Sequence, residues 1–279
     1  MTVGEALRET TARLGTDWAR DEAEMLMAHA LGVTRSAMLL GHLRNPVPDA
    51  FEAMLARRLA DEPVAYITGV TEFHGQRFTV SPDVLIPRSD SEATLLAAIE
   101  AAPNARRVLD CGTGSGCLLL SLMAELPAAS GIGVDRSPAA LAVAETNARA
   151  LGLADRAVLR EADWTRPGWA DDLGIFDLVI ANPPYVEDDA ALDASVRDFE
   201  PAGALFAGPE GLEAYRVLIP QLPVLLASRG VAVLEIGYAQ AEAVTAIAKS
   251  AGFAVALRRD LADRPRALIL SQKSLAKAS

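Results

Sequence analysis

The stretch LDCGTGSG, residues 109–116, decides the fold of this chain. It follows the segment RRV and precedes the apolar run CLLLSLMAEL, which is the pattern of a buried strand, a tight turn and a helix. Three glycines within five residues let the backbone turn sharply and come close to a ligand. Glycines at such a turn can also serve packing alone, so the stretch predicts the turn more firmly than the ligand.

From residue 106 onwards, segments with the pattern of strands alternate with segments typical of helices. Seven segments are predicted as strands: RRVLDCG, GIGVDRS, AVLREAD, FDLVIAN, VAVLEIG, FAVALRR and RALILSQ. Repeated strand–helix units predict a mostly parallel sheet with both faces covered. Ser137 and Pro138 are predicted as the N-cap and first residue of one helix, and Pro220 and Pro223 are predicted to interrupt another.

The first 65 residues have a helical pattern instead. Apolar residues at helical spacing predict helices at residues 3–14, 18–31 and 50–60, with Asp17 and Asp49 as the N-caps of the second and third. Short amphipathic helices can bury their apolar faces only against one another. A small helical bundle is therefore expected at residues 1–65, and a substrate-docking role and a purely stabilising role both remain open for it.

A stretch rich in β-branched and aromatic residues follows the bundle. It contains Gly75 near its middle, which predicts a β-hairpin linker at residues 66–87. An α/β domain is then expected at residues 88–279. Ser89 and Glu92 have the spacing of a capping box for its first helix.

Composition excludes several classes of protein. The chain has 279 residues, of which 51% are hydrophobic and 23% charged, as in soluble proteins with a sizeable core. Its net charge of −11 is unfavourable for binding phosphate backbones, so no direct nucleic-acid contact is expected. No signal peptide and no membrane-spanning run is recognisable. Two cysteines, Cys111 and Cys117, and three scattered histidines do not predict a disulfide scaffold or a metal site, and we expect a cytoplasmic protein.

Acidic residues at the ends of two further strands fit a nucleoside-containing ligand. Asp135 ends the second predicted strand, where a carboxylate can bind both ribose hydroxyls. Asp163 and Trp164 end the third, where they suit an adenine, although Trp164 could equally be a core aromatic. A dinucleotide site is the rival interpretation, but its G-x-G-x-x-G pattern would need a glycine where Cys117 stands.

The fourth strand ends in IANPPY, residues 180–185. A proline fixes its own φ and keeps the preceding residue extended, so Asn182 and Pro183 are predicted to be held in place. Tyr185 then follows a stiffened turn. The turn thus combines a rigid side-chain amide with an aromatic ring.

Together these features resemble the class I S-adenosylmethionine-dependent methyltransferases. The series PVAYITGVTEFHGQRFTVSPDVLIPR, LDCGTGSG, VDRSPAAL, IANPPYV and VRDFEPAGALFAGPEGLEAYR is similar to the HemK/PrmC family of release-factor glutamine N5-methyltransferases. The similarity runs from about residue 63 to the C-terminus, and the helical start also fits the family. It implies a seven-stranded, Rossmann-like methyltransferase domain after a helical bundle and a hairpin, and methylation of the glutamine in the GGQ motif of bacterial release factors.

The resemblance also implies roles for individual residues. The catalytic residues would be Asn182, Pro183 and Tyr185, and these residues and Pro184 would bind the substrate amide. The Asn182 side-chain carbonyl and the Pro183 backbone carbonyl would accept the two N–H groups of that amide. The Tyr185 ring would pack on its flat face. The methyl donor S-adenosyl-L-methionine, which leaves as S-adenosyl-L-homocysteine, would be bound without a metal by Gly112, Thr113, Gly114, Ser115, Gly116, Asp135, Asp163, Trp164 and Asn182.

One segment departs from the family pattern. The family reads IPRPDTE where this chain has IPRSDSE, so Ser89 replaces a proline and Ser91 a threonine. Two other functions remain as alternatives. An N6-adenine nucleic-acid methyltransferase would use similar active-site logic, and a non-catalytic S-adenosylmethionine sensor would share the donor site. We expect a monomer that acts on a release factor in translation termination.

Overall fold

The structure is a computed structural model that describes residues 1–272. The chain divides into two compact units. The first comprises Met1–Val70 and Leu192–Phe199, and the second comprises Thr71–Ala191 and the chain from Glu200 onwards.

The first unit is helical. It contains α1 (Val3–Leu14), α2 (Ala19–Leu31), α3 (Arg35–Ala37) with a π-helical continuation (Met38–His42), α4 (Ala50–Leu59), α5 (Val64–Thr68) and a one-turn helix at Ala194–Arg197. Its core is built from buried side chains of these helices, among them Val3, Leu26, Met27, Met38, Phe51 and Leu55.

Of the two N-caps predicted for this unit, Asp17 is wrong, and Asp49 is confirmed in position but does not cap with its side chain. Trp18, not Asp17, occupies the N-cap of α2, because the Ala19 N–H already closes a turn onto the Thr16 carbonyl at 3.1 Å. Asp49 does precede α4, but its φ of −58° and ψ of −33° are helical, and its side chain makes no capping hydrogen bond. A side-chain cap normally needs an extended N-cap residue.

The predicted hairpin is shorter than its sequence pattern. It consists of β1 (Val70–Phe73) and β2 (Gln76–Thr79), joined by His74 and Gly75, whose φ values of 49° and 69° suit a tight hairpin turn. The residues VAYIT before it form α5 instead of a strand, with Pro63 at the N-cap. Burial of Val64 and Ile67 in the helical core outweighs their β-propensity.

All seven strands predicted for the larger sheet are confirmed. They are β3 (Arg107–Cys111), β4 (Ser130–Asp135), β5 (Ala157–Glu161), β6 (Phe176–Ala181), β7 (Leu226–Glu235), β8 (Phe253–Arg259) and β9 (Pro265–Gln272). Their spatial order is β5-β4-β3-β6-β7-β9-β8, and only β9 runs against its neighbours. The order reverses between β3 and β6, which is where ligands bind in open α/β sheets.

Helices accompany this sheet: α6 (Ser91–Ala101), α7 (Cys117–Glu125), α8 (Pro138–Ala150), α9 (Glu213–Leu218), α10 (Leu222–Leu225) and α11 (Ala241–Ser250). Successive residues of one strand belong to different cores: Val108 packs in one cluster and Leu109 in the other. Because side chains alternate along a strand, both faces of the sheet are covered, as predicted.

Three predictions about helix ends have different outcomes. Ser137 caps α8 by accepting a hydrogen bond from the Ala140 N–H at 3.2 Å, and Pro138 is its first residue, as predicted. The predicted interruption is also present, since a 3₁₀ turn at Ile219–Gln221 separates α9 from α10. The capping box is wrong: α6 begins at Ser91 without a side-chain cap, and Glu92 Oε1 accepts from the His74 N–H at 3.2 Å.

Candidate active site

The glycine turn after β3 rests on the end of β4. The φ values of Gly112, Gly114 and Gly116 are 76°, 54° and 81°, a left-handed conformation that residues with a Cβ rarely adopt. The Gly112 and Thr113 N–H groups both donate to the Val134 carbonyl, at 2.8 and 2.9 Å. The turn is therefore fixed in shape by residues of the neighbouring strand.

Asp135, the last residue of β4, fastens this turn through its side chain. Its Oδ2 accepts from the Gly114 N–H and its Oδ1 from the Ser137 N–H, both at 3.0 Å. A carboxylate can accept about four hydrogen bonds, so each oxygen keeps capacity for a ligand hydroxyl. Asp135 thus shapes the turn and faces the cavity beside it.

Two buried polar atoms of the turn have no partner within residues 1–272. They are Asp110 Oδ1 and Ser115 Oγ. The Thr113 hydroxyl donates to the other oxygen of Asp110 at 2.7 Å. Burial raises the pKa of Asp110 to about 7, and the negative charge of Asp135 adds to the increase while the Thr113 hydrogen bond opposes it. Buried groups without partners are costly, and Ser115, unlike Asp110 in β3, lines the cavity, so its hydroxyl suits a polar ligand.

Asp163 and Trp164 lie beyond the end of β5. The Asp163 Oδ1 accepts from the Thr165 hydroxyl at 2.7 Å and from the Thr165 N–H at 2.9 Å, and the hydroxyl is the main cause of the lowered pKa of this carboxyl. The Trp164 ring lies over the glycine turn: a Cβ on Gly112 would stand 3.0 Å from it. Trp164 also packs against the core, so both roles considered for it from the sequence are compatible with its position.

The NPPY turn follows β6, next to the glycine turn of β3. Asn182 donates a hydrogen bond from its Nδ2 to the Ser91 hydroxyl at 3.4 Å. Within residues 1–272, no group donates to the Asn182 side-chain oxygen or to the Pro183 carbonyl. Tyr185 directs its hydroxyl to Glu235 Oε1 at 3.4 Å, and burial raises the pKa of that hydroxyl to about 12.

One cavity of about 470 Å³ brings most of these residues together. The predicted site residues that line it are Gly112, Thr113, Gly114, Ser115, Asp135, Asp163, Trp164, Asn182 and Pro184. Gly116, Pro183 and Tyr185 are not among its lining residues. Gly116 packs towards α7, since a Cβ there would stand 3.0 Å from Leu120 Cδ1.

The opposite wall of the cavity comes from residues 201–207, which pair with the chain after NPPY. The Val186 N–H donates to the Leu205 carbonyl and the Ala207 N–H to the Val186 carbonyl, both at 2.8 Å. Gln240 also holds the NPPY turn, since its Nε2 donates to the Tyr185 carbonyl at 3.0 Å and to the Gly211 carbonyl at 3.1 Å. The sequence did not point to Gln240.

A second unpredicted support is Asn147 on α8, which is fully buried. Its side-chain amide exchanges hydrogen bonds with both backbone groups of Thr79 and donates to the Ser115 carbonyl at 2.8 Å. Asn147 thereby joins the hairpin to the glycine turn. In the sequence, Asn147 could have been noticed as a polar residue on the apolar side of a predicted helix.

Across residues 1–272, no group of three or more His, Cys, Asp or Glu side chains could hold a metal ion. No helix in that part of the chain is long and apolar enough to cross a membrane.

A seven-stranded sheet of this order, with a glycine turn at its switch point and acidic residues at or just after the ends of the next two strands, defines a class I methyltransferase. Family models agree: one described as "PrmC N-terminal domain" matches residues 5–69, and one described as "Methyltransferase domain" matches residues 103–252. The chain belongs to the release factor glutamine methyltransferase family.

Curated relatives establish that membership. The "Release factor glutamine methyltransferase" of Cereibacter sphaeroides is 45% identical over 95% of this chain and 97% of its own length. The protein of the same name from Rhodospirillum rubrum is 40% identical over 93% of this chain and 81% of its own. Another, from Geobacter sulfurreducens, is 40% identical over 87% of this chain and 85% of its own.

Solved structures share the fold. The hMettl16 catalytic domain in complex with the MAT2A 3'UTR hairpin 1 superimposes with a TM-score of 0.56 and 15% identity, over 80% of this chain and 91% of its own. An O-methyltransferase family protein from Burkholderia thailandensis gives 0.51 and 16%, over 92% of this chain and 96% of its own. At these identities the likeness concerns the fold alone.

Proposed function

We propose that this protein transfers a methyl group from S-adenosyl-L-methionine to the side-chain amide nitrogen of the glutamine in the GGQ motif of peptide chain release factors. The observation that carries the proposal is the 45% identity, over nearly the whole chain, to a protein named release factor glutamine methyltransferase. The position of Asn182 in the wall of the cavity supports it.

The residues of the cavity fit the proposed donor. Asp135 has free acceptor capacity for the ribose hydroxyls, and Asp163 and Trp164 offer a carboxylate and a ring to adenine. The Ser115 hydroxyl, which lines the cavity and has no hydrogen-bond partner within residues 1–272, offers a polar contact to the charged methionyl end. Bound there, S-adenosyl-L-methionine would supply an activated methyl group carried by a sulfonium.

The chain's own task is to orient a poor nucleophile. The lone pair of an amide nitrogen is delocalised into its carbonyl, so the nitrogen must be aligned and its developing positive charge stabilised. The Asn182 side-chain oxygen and the Pro183 carbonyl are free to accept the two N–H groups of the substrate amide. Both are fixed before the substrate arrives by the extended geometry that consecutive prolines impose. The amide proton then passes to water, since neither carbonyl is a base.

Tyr185 supports this turn from behind in the structure. Its hydroxyl and carbonyl are held by Glu235 and Gln240, and its ring is not part of the cavity wall. The predicted packing of the ring on the substrate amide stays a prediction. A ring that turns towards an incoming glutamine would have to break the hydrogen bond to Glu235.

We further propose that the N-terminal bundle docks the release factor. Leu40 is 89% exposed, and Leu39 and Leu43 on the same helical segment are also exposed. The changes Leu40→Ser and Leu43→Ser should lower methylation of a whole release factor and leave methylation of a short GGQ peptide unchanged. Equal rates with whole factor for variant and wild type would refute docking.

The N6-adenine alternative is not favoured, because the similar curated proteins, from 36% to 45% identical, carry the release factor name. A competition assay tests this directly. Wild-type protein, S-adenosyl-L-methionine and equal amounts of release factor, duplex DNA and ribosomal RNA are incubated together, and each is analysed by mass spectrometry. We expect a methyl group on the release factor only. The predicted cytoplasmic location, monomeric state and lack of nucleic-acid contact remain predictions of the same account.

A further inference from the structure

A buried polar cluster lies directly behind the NPPY turn. Ser91 and Thr94, on the first turn of α6, are 3% and 0% exposed, and Glu235, the last residue of β7, is 1% exposed. The Thr94 hydroxyl donates to Glu235 Oε2 at 3.3 Å, and the Tyr185 hydroxyl donates to Oε1 at 3.4 Å. Ser91 accepts from Asn182 Nδ2 at 3.4 Å, and its hydroxyl is close enough to Glu235 to oppose the burial-induced rise in the pKa of that carboxyl.

The direction of these hydrogen bonds follows from the chemistry of a carboxylate. An ionised Glu235 can only accept, so the hydroxyl hydrogen of Ser91 points to Glu235. The lone pairs of Ser91 then face Asn182 and can receive only an N–H from it. As a consequence, the amide nitrogen of Asn182 points to Ser91 and its oxygen points to the cavity.

We propose that Ser91 and Glu235 are positioning residues for methyl transfer, which fix the orientation of the Asn182 amide through the chain Glu235–Ser91–Asn182. The inference rests on the proposed function, in which the Asn182 oxygen holds the substrate nitrogen. It also accounts for one of the two departures in IPRSDSE, because Ser91 keeps the hydroxyl of the threonine found in the family pattern.

Protonation of Glu235 would disturb this chain. A neutral carboxyl carries a hydrogen of its own, which competes with the hydroxyl groups that donate to the ionised form. Burial raises the pKa of Glu235 to about 7, against the hydrogen bonds of Ser91 and Thr94 and the charge of Arg266. The titratable or charged groups that face Glu235 are Asp90, Cys117, Tyr185, Tyr215 and Arg266. Arg266 is shared with two carboxylates, Asp90 at 2.7 Å and Asp260 at 3.1 Å, and does not neutralise Glu235 alone.

The first test uses the ligand-free protein and needs no turnover. The side-chain carboxyl of Glu235 is followed by carbon NMR across pH 5–9 in glutamate-labelled protein, and its signal is assigned with Glu235→Gln. Ser91→Ala removes a hydrogen bond to the ionised form, so the titration midpoint of Glu235 should move to higher pH, and Ser91→Thr should restore it.

Ser121→Ala is the matched control for that titration. Ser121 is another fully buried serine, which hydrogen-bonds to Gln76 Oε1 at 3.3 Å and does not line the cavity. Its replacement should leave the midpoint of Glu235 unchanged. A midpoint that is the same in wild type and Ser91→Ala would overturn the Glu235–Ser91 link.

The second test separates positioning from binding. Single-turnover methylation of a GGQ-containing release factor should be slower by about 10- to 100-fold in Ser91→Ala and in Glu235→Gln, as expected for a misplaced reacting group. The dissociation constant of S-adenosyl-L-homocysteine, measured by calorimetry, should stay within about threefold in both. Ser91→Thr should recover most of the rate.

The pH dependence of the methylation rate tests whether the ionised form of Glu235 is the active one. The wild-type rate at saturating donor should fall on the acid side as Glu235 becomes protonated, and Glu235→Gln should lack this limb. Full-rate turnover by Ser91→Ala, or an acid limb retained in Glu235→Gln, would overturn the proposal. If wild-type protein does not methylate release factors, the proposed function fails, whereas the NMR titration still decides whether the chain Glu235–Ser91 exists.

Discussion

Replacing Asp135 should weaken donor binding in two ways. Its carboxylate accepts backbone hydrogen bonds from Gly114 and Ser137, each at 3.0 Å, and it is also the proposed ribose ligand. Hydrogen bonds to a charged group contribute about 1.5–3 kcal/mol each. Asp135→Ala should therefore cost at least one such contribution in S-adenosyl-L-homocysteine affinity, which is about 10- to 150-fold. The calorimetric dissociation constant measures this directly.

Asp177 provides the matched control for that experiment. Its Oδ2 also accepts two backbone hydrogen bonds, from Arg106 at 2.9 Å and Arg107 at 3.0 Å, but it lies at the start of β6 and does not line the cavity. Asp177→Ala should lower the free energy of unfolding without changing donor affinity. If Asp135→Ala and Asp177→Ala bind S-adenosyl-L-homocysteine as well as wild type does, the donor site has been placed wrongly.

Three further predictions concern stability. Asn147→Ala removes hydrogen bonds from the buried Ser115 carbonyl and from two half-buried backbone groups of Thr79, and should cost about 3 kcal/mol in urea-induced unfolding. A loss below about 1 kcal/mol would contradict its supporting role. Gly133→Ala places a Cβ 2.8 Å from Thr113 Oγ1 in the glycine turn. The change should lower the unfolding free energy by about 1–3 kcal/mol and weaken donor binding. Unchanged donor binding would mean that the glycine turn can shift without affecting the donor site. Burial raises the pKa values of Asp110 and Glu235 from 3.8 and 4.5 to about 7, so the unfolded chain releases these protons at lower pH than the folded one. The ligand-free protein should therefore lose stability as the pH rises from about 4 to about 7, and a Tm that rises over this range would refute the assignment.

The sheet could be predicted because its strands are buried on both faces. Such strands are nearly continuous apolar runs that begin and end at turn residues, and the glycine turn fixes where the first of them stops. The helix N-caps could not be predicted as well from the sequence. Asp17 and Asp49 have the right residue type for a cap, but a side-chain cap also depends on backbone conformation. Asp17 lies one residue before the N-cap of α2, and Asp49 has a helical backbone instead of an extended one.

The predicted site residues come from strand ends, and strand ends meet at one edge of a parallel sheet whatever the loops do. The residues that hold them were not predicted. Asn147, Gln240 and Glu235 act through the hydrogen bonds described above, whose partners lie 29 to 141 positions away. No local pattern encodes such pairings. Glu235 did leave a signal, as a single carboxylate within the apolar strand VAVLEIG.

The central claim is that Asn182 orients a release-factor glutamine for methylation. The most direct measurement is single-turnover methylation of a release factor by wild type and by Asn182→Ala, with the modified residue located by tandem mass spectrometry. A factor whose GGQ glutamine is changed to alanine serves as the substrate control. We expect methylation at that glutamine alone, a rate about 10²–10³-fold lower for Asn182→Ala, and unchanged S-adenosyl-L-homocysteine affinity. Equal labelling of the alanine control, or near wild-type turnover by Asn182→Ala, would contradict the account.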